Sequence, residues 1–128
     1  MLVGATILAC PLVIATQLRP AVAGLGTHQQ LGLPPCTARV LWGVRCPACG
    51  MTTSWAHLVR GQLVQSIQSN AGGAAFGLIA LAAATTMVGH AVIAQVPSRR
   101  LAMVLVYTLS AAFVITIVDW SWRLANGG

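Results

Sequence analysis

The chain has 128 residues, of which 57% are hydrophobic, and it carries seven basic residues and one acidic residue. Soluble domains are usually about one quarter charged, so this composition argues against a soluble globular protein and predicts a membrane protein. The basic residues are arginines that stand singly or as one pair at the edges of apolar segments, where they would meet lipid headgroups. This scatter excludes a nucleic-acid-binding surface.

Three apolar segments stand out, at residues 2–18, 71–94 and 101–122. A membrane-spanning helix needs roughly 20 apolar residues, with a range of about 17 to 25, so we expect three transmembrane helices. The first segment lies at the short limit and contains Pro11. It could instead be a cleaved signal peptide, but its start lacks the positive charge that such signals use, which favours an uncleaved first span.

The second and third spans are joined by a short turn, which predicts an antiparallel hairpin. Small residues on the second span would let another helix approach closely, and another membrane protein could use the same face. These residues are Gly72, Gly73, Ala80, Ala83 and Ala84.

A long loop, residues 19–70, separates the first two spans, and its second half has helical character. Pro47 suits the first position of a helix with Cys46 as its N-cap, and Gly61 is a natural stop. We expect short amphipathic helices here, lying in the membrane interface or packing against the spans. The apolar stripe of the first consists of Met51, Trp55, Leu58 and Val59, with Thr52, Thr53, His57 and Arg60 on other faces.

Three of the four cysteines lie in this loop with the spacing C-x9-C-x2-C. A C-x2-C pair is a common zinc half-site, because its two sulfurs can face one ion. A metal site would use Cys36, Cys46 and Cys49, with His28 as the candidate fourth ligand, and zinc is the metal that such a set suggests. Cys10 lies in the first span and is expected to be an inert apolar residue.

The same residues allow two other interpretations. The positive end of a helix dipole favours the thiolate form of a cysteine at the helix start. Cys46 would therefore be the attacking thiol of a thiol–disulfide exchange protein, with Cys49 one turn inside the helix. Alternatively, a disulfide could simply staple the loop. The chain has no C-x-x-C-H sequence, which excludes covalent haem attachment. It has a single acidic residue, which excludes most hydrolase chemistry and favours a protein that is not an enzyme.

The stretch GLPPC…VRCPACGMTTSW…L…G…N resembles the small bacterial membrane family called domain of unknown function 2752. The resemblance covers about residues 28–95. The residues that match its pattern are Cys36, Cys46, Pro47, Cys49, Gly50, Thr52, Gly61 and Asn70. The chain departs from it at Thr53, Gln62 and Ala71, where the family has Arg, Asp and Pro. The resemblance implies a membrane location and no established function.

Two further polar residues lie in or near the spans. We expect Asp119 to sit at headgroup level beside Arg123, within an interfacial belt of Trp120 and Trp122. His90, inside the second span, is expected to bond a neighbouring helix rather than carry protons.

The distribution of arginines decides the expected orientation. Raw counts favour a cytoplasmic long loop, whereas the density of charge at the short turn, which holds Arg99 and Arg100, favours an extracytoplasmic one. We adopt the second orientation.

The sequence therefore predicts an all-α, three-span protein of the bacterial cytoplasmic membrane, with one domain over residues 1–128. The leading functional hypothesis is a non-catalytic accessory or assembly module with a cysteine-stapled loop. Thiol–disulfide exchange and zinc-type metal binding are the alternatives, and the lipid bilayer is the expected partner.

Overall fold

A computed structural model describes residues 2–126, and this part of the chain is all-helical, without strands. Six α-helices follow one another, with a short 3-10 turn, Thr27–Leu31, between the first two. The helices are α1 Leu2–Gln17, α2 Thr37–Trp42, α3 Met51–Leu58, α4 Leu63–Ser69, α5 Ala71–Val92 and α6 Arg99–Ala125.

Two helices, α5 and α6, are long and apolar enough to cross a membrane. They match the second and third expected spans, whereas the prediction of a third span at residues 2–18 is wrong. That segment forms α1, a helix of 16 residues. At about 1.5 Å per residue it reaches roughly 24 Å, short of the roughly 30 Å of a hydrocarbon core. The helix ends at Gln17 because Pro20 and its preceding residue disfavour helical backbone.

Helix α5 is the centre of the fold, since α1, α3, α4 and α6 all pack against it. A Cβ added to Gly4 would lie 3.4 Å from the Met87 sulfur, so the start of α1 meets the far end of α5. At the near end of α5, a Cβ on Gly72 would lie 2.7 Å from the Thr116 Cβ. Both α1 and α6 therefore run antiparallel to α5.

The small residues at the start of α5 allow close approach, as expected, and the helices that use them belong to the same chain. Gly72 faces Thr116 of α6, and a Cβ on Gly73 would lie 3.2 Å from the Met51 Cα of α3. Ala83 and Ala84 are also buried, and Ala80 is half-buried.

The interior of the loop is built from hydroxyl groups. Thr27, Thr53, Ser54 and Ser66 are the largest fully buried side chains, whereas the stripe residue Trp55 is half-buried. The Thr27 and Thr53 hydroxyls lie 2.7 Å apart, and those of Ser54 and Ser66 lie 2.9 Å apart. The members of each pair satisfy one another, so their burial costs no unpaired polar group. Since α3 packs on α1, α4 and α5, it lies against the other helices.

Arg60, in the turn after α3, binds the end of α1. Its guanidinium donates to the Thr16 carbonyl at 3.1 Å and to the Leu18 carbonyl at 2.6 Å. A cationic side chain at a helix C-terminus donates to the unpaired carbonyls and interacts favourably with the negative end of the helix dipole. This contact attaches α1 to the loop.

Candidate metal centre

The Cys46–Cys49 pair forms a turn of its own that precedes α3. The Cys49 amide donates to the Cys46 carbonyl at 3.0 Å, and the Cys46 amide donates back to the Cys49 sulfur at 3.3 Å. The Cys46 thiol donates to the Cys49 sulfur at 3.1 Å. Both sulfurs therefore lie on one side of the turn.

Gly50 ends this turn and sets the start of α3. It has a φ of +88°, and a Cβ there would lie 2.6 Å from the Ser69 carbonyl oxygen. Gly50 is the N-cap, so the helix begins at Met51. The expectation that Cys46 caps the helix with Pro47 at its first position is wrong, because the left-handed backbone at Gly50 cannot lie inside a helix.

Asn70 holds the turn against the start of α5. Its side-chain amide donates to the Pro47 carbonyl at 3.0 Å and to the Cys49 carbonyl at 3.1 Å. Its side-chain oxygen accepts from the Gly73 amide at 2.6 Å, which is an N-cap contact. One buried side chain thus joins the cysteine turn to a membrane-length helix.

The end of α6 supports the same turn from the other side. The Trp120 indole donates to the Arg45 carbonyl at 2.6 Å, directly before Cys46. The Asp119 carboxylate accepts from Arg123 at 2.9 Å and from the Ala71 amide at 3.4 Å. Asp119 lies beside Arg123 as expected, and it also faces the positive end of α5.

Cys36 completes a cluster of three thiols. It precedes α2 as the N-cap residue, and its sulfur and those of Cys46 and Cys49 all lie within 4.8 Å of one another. Cys36 therefore lies beside the Cys46–Cys49 turn, as a metal site that uses all three cysteines requires. Cys10 lies in α1 outside this group, and all four cysteines are free thiols.

His28 lies in the wall of the cleft that opens over these sulfurs. The cleft has a volume of about 550 Å³ and is also lined by Arg39. The His28 Nε2 atom lies 3.2 Å from the Pro34 carbonyl. Among the described residues, 2–126, the three sulfurs lie close enough together to share a metal ion, and His28 is not part of that group. His28 as the fourth ligand stays a prediction.

Cys36 and Cys49 differ in their acidity. Hydrogen bonding from the Cys49 thiol, and next from the Arg39 backbone amide, lowers the pKa of Cys36 from 9.0 to about 7. Burial, followed by hydrogen bonds with Cys46 and Cys36, raises the pKa of Cys49 to about 12. Cys36 is therefore the thiol that ionises near neutral pH.

The sulfur spacing suits one shared ion. Zinc–sulfur bonds of about 2.3 Å place two sulfurs of a tetrahedral site about 3.8 Å apart. This spacing lies between the 3.1 Å of Cys46 and Cys49 and the 4.8 Å limit for the group. A disulfide, by contrast, would join two sulfurs at about 2.05 Å and leave the third as a thiol.

Thr53, Gln62 and Ala71, the positions at which the resemblance implies Arg, Asp and Pro, each make a specific contact. The Thr53 hydroxyl pairs with Thr27, and the Gln62 side-chain oxygen lies 2.6 Å from the His57 Nδ1 atom. Ala71 uses its amide for Asp119, and a proline there would have no amide hydrogen to donate.

The sequence did not predict the contacts by which other segments hold the cysteine cluster in place. Thr27, Trp120 and the amide group of Asn70 carry no signal of contact in the sequence. Gly61, which was expected to end the helix, has a left-handed backbone with φ +73° and lies after the end of α3.

Comparison with known protein families supports the resemblance found in the sequence. The family described as "Protein of unknown function (DUF2752)" matches residues 36–84, a range that runs from Cys36 into α5. This match confirms the resemblance to that family and includes all three clustered cysteines and Asn70. No curated protein and no solved structure matches the chain.

Proposed function

We propose that this chain, which shares residues 36–84 with a family of unknown function, is a small non-catalytic membrane protein that binds one zinc-type ion. Cys36, Cys46 and Cys49 would supply three thiolates. The observation that carries the proposal is the mutual proximity of all three sulfurs within 4.8 Å. A staple would need two of them, whereas a metal ion uses every one.

A fourth ligand to a bound ion would come from the cleft over the sulfurs. His28 lies in its wall, and release of the contact between its ring and the Pro34 carbonyl would free a nitrogen for the metal. A water molecule could fill the same position, as it does in open zinc sites. A bound cation would also favour ionisation of Cys49, whose pKa is raised in the free thiol form.

Placement in a bilayer is supported by the exposure of α6. Only Ala112 and Thr116 of this helix are buried, while Tyr107, Phe113 and Val118 are exposed. A core helix of a soluble protein would be buried over most of its surface, whereas a lipid-facing helix is not. We place the protein in the bacterial cytoplasmic membrane, with α5 and α6 as spans.

The orientation follows from charge density. Arg99 and Arg100 begin α6 directly after the short connection from α5, and this density supports a cytoplasmic connection. The cysteine loop would then be extracytoplasmic. An impermeant thiol reagent should label the loop cysteines in intact spheroplasts, and labelling only after the inner membrane is permeabilised would reverse this orientation.

Metal analysis of the purified full-length chain tests the site. We expect about one zinc per chain, and cobalt substitution should give the visible absorption of a tetrahedral thiolate site. Cys36→Ser, Cys46→Ser and Cys49→Ser should each lose the metal, while Cys10→Ser, the matched control, should retain it. A metal-free chain whose mass is two hydrogens below the fully reduced value would replace the proposal with a disulfide staple.

Thiol–disulfide exchange is a second candidate because the pKa of Cys36 is lowered to about 7. Its thiolate, rather than that of Cys46 as the sequence predicts, would attack a partner disulfide, form a mixed disulfide with one partner sulfur and release the other as a thiolate. Cys46 or Cys49 would then displace the reduced partner and leave an oxidised pair in this chain. A trapped mixed disulfide in the variant that lacks both Cys46 and Cys49, together with a metal-free wild type, would favour this function.

A further inference from the structure

Helix α2 stands apart from the rest of the fold. Over the residues that the structure covers, α2 packs against no other helix. Its last three residues are strongly exposed, with Val40 at 65%, Leu41 at 65% and Trp42 at 71%. Val44, just beyond its end, is also exposed, at 42%, so four neighbouring apolar residues present surface that no other helix covers.

We call Val40, Leu41, Trp42 and Val44 the α2 patch. Arginines flank it on both sides, since Arg39 lies in α2 and Arg45 follows Val44. An apolar patch flanked by arginines complements the surface of an anionic bilayer, because lipid phosphates attract the guanidinium groups while the apolar side chains leave water. Tryptophan is enriched at that interface because its ring is apolar and its N–H is polar.

The position of the patch along the fold agrees with a membrane surface. The Arg45 carbonyl accepts from Trp120 near the end of α6, and Asn70 ties the adjacent cysteine turn to the start of α5. The patch is therefore attached at the level where α5 begins and α6 ends. In a protein that spans a bilayer with these helices, that level is the headgroup region.

We infer that the α2 patch lies on the anionic phospholipid headgroups at this end of α5 and α6, with Trp42 inserted to the acyl boundary. The inference rests on the bilayer placement proposed above. The interfacial role expected for the segment after Cys46 would thus belong to α2, because α3 is packed among the other helices. As Cys36 caps α2, the thiol cluster would sit directly on the lipid surface.

The test uses the full chain in single-copy nanodiscs of phosphatidylcholine and phosphatidylglycerol, with and without lipids brominated near the headgroup. The fluorescence lost in Trp42→Phe isolates the Trp42 signal from those of the other three tryptophans. We expect bromination to quench this signal more than twofold and its emission to be blue-shifted. Arg39→Gln should weaken the dependence of the quenching on phosphatidylglycerol.

Trp122 provides the reference because it is 70% exposed near the end of α6. Its signal, isolated with Trp122→Phe, reports whether α6 is in the bilayer. Quenching of Trp122 without quenching of Trp42 would overturn the inference and leave the bilayer placement standing. If neither Trp42 nor Trp122 is quenched, the placement of α6 in the bilayer is overturned as well. A Trp42 signal that shifts to the blue only in two-copy discs, without lipid quenching, would assign the patch to a second copy and reject the lipid surface.

Discussion

Asn70 donates from its side-chain amide to the backbone carbonyl of Cys49, across a distance of 3.1 Å. The same side chain caps α5 through its oxygen, so the cysteine turn and the helix share one buried residue. A displacement of the start of α5 would therefore also displace Cys49.

Replacing Asn70 with aspartate separates these two roles. Asn70→Asp keeps an oxygen that can cap α5 and removes the amide group that donates to the turn. Leaving the Pro47 and Cys49 carbonyls unpaired should cost about 1–3 kcal/mol of unfolding free energy. Thermal unfolding in detergent and zinc affinity would measure the loss. Asn126→Asp is the control, because Asn126 donates to one exposed carbonyl, and equal effects of the two changes would contradict the role of Asn70.

Gly50→Ala should disrupt the turn more than backbone strain alone explains. A left-handed backbone costs an L-residue roughly 1–2 kcal/mol. At Gly50 the new Cβ would also meet the Ser69 carbonyl at 2.6 Å, whereas Gly43 has a φ of +67° and open space around it. Gly43→Ala therefore isolates the strain. If both variants melt at the same temperature, the close approach at Gly50 is not a constraint on the turn.

Cys36 and Cys49 should titrate at widely separated pH values, because their pKa values are shifted in opposite directions. In the metal-free protein Cys36 should alkylate with a midpoint near pH 7, whereas Cys49, with a pKa of about 12, should stay unreactive through pH 9. The lowered pKa of Cys36 stabilises the fold above its unfolded value of 9.0, and this contribution is lost as the pH falls through about 7. The raised pKa of Cys49 acts in the opposite sense, so its contribution is present below its unfolded value of 9.0 and is lost as the pH rises towards about 12.

Mass spectrometry of iodoacetamide adducts as a function of pH measures both thiols in one experiment. Cys10→Ser removes the fourth cysteine as a source of background. Faster alkylation of Cys49 than of Cys36 at neutral pH would refute the assignment.

Two glycines of α5 should respond to alanine with opposite signs. Gly72→Ala would bring a Cβ to 2.7 Å from the Thr116 Cβ and should separate α5 from α6. Gly89 has open space around it, so Gly89→Ala should stabilise the helix by about 0.5–1 kcal/mol. Unfolding in a urea or detergent titration would compare them. A neutral Gly72→Ala would show that the hairpin tolerates a wider separation.

The helical class, α5 and α6 could be predicted because long apolar runs leave few alternatives. The proximity of Cys36 to the Cys46–Cys49 turn was also accessible from the motif. The buried Thr and Ser pairs were not, because sequence patterns assign polar residues to the surface. In this chain small and hydroxyl residues are buried while many large apolar residues are exposed.

The start of α3 was misplaced for a local reason. Pro47 is compatible with both a turn and a first helical position, and the choice depends on Gly50, whose backbone meets Ser69 from a distant segment. The end of α1, by contrast, could be predicted from Pro20, because the helix ends at Gln17, one residue before the end of the predicted segment.

The contact of Arg60 with α1 has a consequence for synthesis of the protein. The carbonyls of Thr16 and Leu18 leave the ribosome 44 and 42 residues before the guanidinium that binds them. Until then the end of α1 has only water or lipid headgroups to satisfy it. Helix α1 therefore reaches its final setting late, after the segment that holds the clustered cysteines has already emerged.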